Sequence, residues 1–71
     1  MSTEHADMLV LQEIKRCFAA LAPGSIIPVT AWAEQIHRDI SGSAFSMNEI
    51  VDEIVMMAAE LGAPVEFGTK S

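Results

Sequence analysis

Four groups of residues in this 71-residue chain are of types that do chemistry. Glu34-x-x-His37 puts a carboxylate and an imidazole on adjacent helical turns, the spacing used in carboxylate-bridged metal bundles. Such a site needs several further inward carboxylates. The other acids fall on outward helix faces, so His37 reads as a histidine at the edge of an apolar stripe and no metal is assigned. Glu4, His5 and Asp7 crowd the N-terminus and read as solvated charge. Cys17 is the one thiol; a nucleophilic cysteine needs exposure and an activating base. His5 stands about three turns away, so Cys17 reads as core packing. Ser25, Ser41, Ser43 and Ser46 fall in turns or at a helix start, where a hydroxyl serves the backbone. The glycines lie at helix ends and after the last extended segment, and build no phosphate-binding loop. No nucleophile has its base, no acid–base pair faces a cleft and no cofactor motif is present. The chain reads as non-catalytic.

Length and charge narrow what remains. A single domain spanning 1–71 buries only about 60% of the surface its unfolded chain exposes, leaving room for one core and no enclosed substrate cavity. A hydrophobic fraction of 51% suits a folded chain and opposes disorder. With only Phe18, Trp32, Phe45 and Phe67 as aromatics, aliphatic residues must fill the core. One cysteine closes no internal disulfide, no run of about 18 apolar residues occurs, and Met1-Ser2-Thr3-Glu4-His5 is not a signal peptide. These features read as a soluble, cytoplasmic protein. The net charge is −6, and residues 46–68 hold Glu49, Asp52, Glu53, Glu60 and Glu66 with no lysine or arginine. That half of the chain repels phosphate backbones and anionic membranes and accommodates a basic partner.

The elements that must position these groups follow from periodicity. Residues 4–22 read as a first helix with Val10, Leu11, Ile14, Cys17, Phe18 and Leu21 on its core face, Leu9 opposite and exposed, Thr3 as N-cap, and Pro23-Gly24 as its stop. Glu4 and Asp7 suit the positive end of its dipole. Ser25-Ile26-Ile27-Pro28-Val29 reads as an extended segment that Pro28 confines to an edge. Thr30 is read as the cap of a second helix, Ala31 to Ile40, with Trp32, Ala33, Ile36 and Ile40 on one face. Ser41-Gly42-Ser43-Ala44 is a turn.

The clearest signal is Phe45-Ser46-Met47-Asn48-Glu49-Ile50. Ser46 and Glu49 have capping-box spacing, and Phe45 and Ile50 can close a hydrophobic staple. The third helix runs from Met47 to Leu61 and stops at Gly62, with Pro64 beyond. It buries Met47, Ile50, Val51, Ile54, Met57, Ala58 and Leu61. Residues 64–68 read as a short strand with Val65 and Phe67 on one face, and Thr69-Lys70-Ser71 as a frayed tail. The ordered core spans about 4–68.

This order of elements resembles a winged-helix or helix-turn-helix domain in miniature. The likeness covers residues 4–68. It rests on the Ile26-Ile27-Pro28-Val29 strand, the Thr30-Ala31-Trp32-Ala33-Glu34-Gln35-Ile36 helix start, and Leu61-Gly62-Ala63-Pro64-Val65 leading into a wing-like strand. The resemblance implies a mainly α, three-helix fold with a minimal two-stranded β element, and a third helix that enters the DNA major groove. Here the chain departs from the pattern. Base edges and phosphates call for Arg, Lys, Asn or Gln, and this helix offers Glu49, Asp52, Glu53 and Glu60 with Asn48 alone favourable. Lys15, Arg16 and Arg38 lie on the first two helices, Lys70 lies in the tail, and they form no stripe.

A Ser at the start of an acidic, Met- and Val-rich helix also resembles acyl carrier proteins, which would imply phosphopantetheine on Ser46. Phe45 stands where that motif has Asp, and too little chain follows Leu61 for the remaining helices.

The functional expectation is a regulatory or protein-interaction module binding a protein partner through the third helix and wing. The candidate partner surface is Glu49, Asp52, Glu53, Val55, Met56, Ala59 and Glu60, with Leu9 joining if the apolar members form one patch. The partner is a basic or nucleic-acid-binding protein, or a second copy in a homodimer. Direct nucleic-acid contact and membrane contact are disfavoured. A DNA-binding regulator and a carrier modified at Ser46 are the alternatives.

Overall fold

Three apolar stripes with steps of three or four residues dictate the architecture. In the computed structural model, which describes residues 3–68, Ala6, Val10 and Ile14 are the buried residues of α1 (Thr3–Ala19). Val29, Ala33 and Ile36 are those of α2 (Val29–Asp39), and Ile50, Ile54 and Ala58 those of α3 (Met47–Leu61). The short strands β1 (Ile27–Pro28) and β2 (Val65–Glu66) add Ile27 to the same core. α2 is the hub, packing most extensively on α3 and also on α1 and β2. No buried polar or charged residue occurs among the described residues. The chain is therefore mainly α with a minimal sheet, an arrangement compatible with a helix-turn-helix-like fold. None of its described helices is long and apolar enough to cross a membrane.

The strands run parallel, with Ile27 opposite Val65 and Pro28 opposite Glu66. The Ile27 amide donates to the Pro64 carbonyl at 2.9 Å. Parallel neighbours need a crossover connection; here α2 and α3 supply it, so the pair is not a tight hairpin. Each strand is an edge, which is why Pro28, lacking an N–H, is tolerated.

Several boundaries and faces differ from the sequence reading. α1 ends at Ala19, not residue 22: the Leu21 amide reaches back to the Phe18 carbonyl, tightening the exit, and Pro23 disfavours helical backbone before it. Thr3 lies within α1 and is not its cap. Leu11 is exposed and Leu9 half-buried, because the α1 stripe is centred on Ala6, Val10 and Ile14 and Leu9 borders it on the α2 side. α2 starts at Val29, so Thr30 lies inside the helix and caps nothing; Pro28 occupies the cap position without a side-chain hydrogen bond. Complete burial of Val29 accounts for this early start. Trp32 and Ile40 are half-buried, as are Met47, Val51 and Met57. Leu61, the last residue of α3, is 64% exposed, while Ala58 one turn earlier is the last α3 residue in the core. Phe67 is 53% exposed, because the ladder ends at Glu66 and no longer holds the two-residue alternation. The frayed-tail expectation for Thr69-Lys70-Ser71 lies outside the described residues.

Candidate functional site

α3 is the element whose sequence and structure agree residue by residue. The Glu49 amide donates to Ser46 Oγ at 3.2 Å, and the Ser46 amide donates to Glu49 Oε1 at 3.1 Å. This reciprocal pair satisfies two amides that a helix start leaves orphaned. At the other end Gly62 takes a left-handed φ of 68°, which a side chain would strain. The Gly62 amide donates to Ala59 and the Ala63 amide to Ala58, the two bonds of a Schellman stop.

The helix so fixed turns an acidic face outward. Asn48, Glu49, Asp52, Met56, Ala59 and Glu60 are exposed, and Glu53 and Val55 are half-buried at its edges. Met56, 58% exposed, has Asp52 and Glu53 one turn before it and Ala59 and Glu60 one turn after. Asp52, Glu53 and Glu60 make no ion pair among the described residues. The seven α3 residues of the candidate surface thus lie along one helix, convex and uncompensated in charge.

Leu9 does not join them among the concave features. It lies in a seam between α1 and the end of α2, where four shallow grooves overlap through shared lining residues. One groove, of about 300 Å³, is lined by Leu9, Gln12, Glu13, Arg16, Asp39 and Ile40. It continues toward Ser41 and Gly42 at one end and toward Cys17, Trp32 and Leu21 at the other. No α3 residue lines any of the four. Phe18 closes one side of Trp32 edge-on, with ring centroids 5.2 Å apart.

The chemistry within the seam is muted. Arg16 Nε donates to both carboxylate oxygens of Glu13, at 3.0 and 2.8 Å, and its Nη2 donates to Oε1. Those hydrogen bonds hold the Glu13 carboxyl below the usual glutamate range, against a smaller opposing effect of burial. Cys17 is half-buried rather than packed in the core. Its burial pushes the thiol above the ordinary cysteine range, with the Glu13 charge adding and Arg16 opposing. A thiol shifted that way is a weak nucleophile.

One polar contact was hidden from the sequence. Asp7, read as solvated, is half-buried, and its Oδ1 accepts from Ser43 Oγ at 2.7 Å and from the Ala44 amide at 2.8 Å. Ser43 Oγ in turn accepts from the Phe45 amide at 3.0 Å. This latch ties the first turns of α1 to the loop that launches α3. The spacing across 36 residues carries no local signal, so sequence inspection could not pair them.

Glu34 is half-buried and His37 exposed, and no cluster of three or more His, Cys, Asp or Glu side chains among the described residues could hold a metal ion. No protein-family model, curated protein or solved structure matches this chain.

Proposed function

We propose that the protein is a non-catalytic interaction module with a winged-helix-like fold, whose working surface is the outer face of α3 and whose partner is a basic protein. The observation that carries this reading is the run of Glu49, Asp52, Glu53 and Glu60 around exposed Met56, with no compensating cation on the helix. An exposed thioether ringed by carboxylates suits a partner that brings an apolar anchor inside a basic rim. The same charge opposes direct phosphate contact, because each carboxylate facing DNA adds repulsion where a lysine would release a counterion. Ser46 Oγ is engaged in the capping box, which supports a structural part for it over that of a carrier attachment point.

The test compares proteins captured from nuclease-treated and untreated lysate of the source cells by the native chain and by the Asp52→Lys/Glu60→Lys variant. Both changes are at exposed positions, so the fold is retained. A partner captured by the native chain with or without nuclease, and lost with the variant, supports the reading. Capture that disappears with nuclease, or that the charge reversal leaves intact, overturns it.

A further inference from the structure

We infer that the seam between α1 and α2 is a second docking site, a groove for a short amphipathic helical segment of a protein partner that carries a lysine or arginine over Asp39. Its position is separate from the α3 face, and either assignment can fail alone.

Three observations carry this. First, the floor is apolar and incompletely covered: Leu9, Ile40, Cys17 and Trp32 are all half-buried along it. The cause is that α2 packs far more extensively on α3 than on α1. Second, the seam is long enough for a helix. Along α1 it runs from Leu9 to Ala19, about 15 Å at the helical rise, or roughly three turns of a helix laid along it. Third, its charge is asymmetric. At mid-length Arg16 and Glu13 neutralise each other at the rim. At the Leu9 end Asp39 is exposed and makes no ion pair among the described residues. Asp39 stands in the last turn of α2, where the helix dipole is already negative and an acid disfavours the helix itself. Arg38 lines none of the four grooves. An apolar trough with an unpaired carboxylate at one end is complementary to an apolar segment with a cation at one end.

Trp32 is the only tryptophan and lines the seam, so its emission reports occupancy. The probe is a synthetic three-turn helical peptide with leucines on one face and two lysines at one end. It is titrated into the full chain at physiological salt beside the same peptide with glutamates for the lysines. The expected result is saturable binding of the lysine peptide, at least about tenfold tighter than the glutamate peptide. Leu9→Arg should weaken it by about tenfold or more by filling the floor with charge, while Met56→Asp leaves it unchanged. Asp39→Lys should reverse the preference between the two peptides. Asp39 is exposed, so this variant decides the matter even if Leu9→Arg does not fold. Absence of saturable binding, equal binding of both peptides, or loss with Met56→Asp alone would each overturn the assignment. The last outcome would put the peptide on α3.

Discussion

The outer face of α3 and the seam between α1 and α2 are both half apolar and half charged, yet they arise in different ways. The α3 face is made by one helix whose caps, stripe and charges all follow from short-range spacing. The seam is made by two helices that meet at a particular angle and leave a gap. The first is convex and carries uncompensated carboxylates. The second is concave, and its mid-length charges cancel across Glu13 and Arg16. Leu9 marks the difference: wheel geometry puts it on the solvent side of α1, and the fold puts it in the seam. A residue's face on its own helix does not say which neighbour will stand over that face.

Substitutions can break or sharpen this contrast. The largest effect should be common to both regions. Ile54 is fully buried in the core that supports α2 and α3. Ile54→Ala should destabilise by about 2–5 kcal/mol in urea unfolding, abolishing seam and face together. A smaller loss would mean that the two regions do not share one core.

The latch comes next. Asp7→Ala removes the acceptor for Ser43 Oγ and the Ala44 amide, and should cost about 1–3 kcal/mol in the same measurement. Amide exchange should rise at residues 43–46, where α3 is launched, before it rises in the middle of α3. Ser46→Ala should cost about 1 kcal/mol by opening the capping box, and its effect should be confined to the first turn of α3. If Asp7→Ala costs less than Ser46→Ala, then α3 is oriented by its packing on α2 and not by the link to α1.

Two further changes separate the surfaces directly. Met56→Asp should alter stability by no more than about 0.5 kcal/mol, because the side chain is exposed. Leu9→Asp should be clearly more destabilising, because it places a charge in a half-buried seam. Equal effects would mean that the seam is no more protected than the face. The smallest expected signal is chemical. With its pKa raised by burial, Cys17 should be alkylated with a pH midpoint above that of an unfolded cysteine. The sign follows: the folded state favours the neutral thiol, so this contribution to stability is complete below the unfolded thiol's pKa and is lost as pH rises through the folded one. Glu13 runs the other way. Its depressed pKa means that its contribution is present above the ordinary glutamate range and fades as pH falls through the folded value.

Some elements were legible because their causes are local. The capping box needs only Ser46 and Glu49 three residues apart, and the exit needs only Gly62 followed by Pro64. Hence α3 was bounded at both ends by inspection. α2 was displaced by two residues at its start because Thr30 is a good local cap, while burial of Val29 is a tertiary gain that outweighs it. Leu61 and Phe67 are apolar residues in phase with the periodicity before them, but Leu61 is the last residue of α3 and Phe67 lies past the end of β2.

By itself the sequence determined the number and kind of elements, the register of α3 and the sign of its outer face. Hydrogen-bonded turns, caps and side-chain periods are properties of segments a few residues long, and formal charge needs no fold at all. The parallel pairing of β1 with β2, the Asp7 latch across 36 residues and the seam that holds Leu9 were decided only by the tertiary structure. Each depends on how separate elements approach one another, which is set by the packing of the whole core.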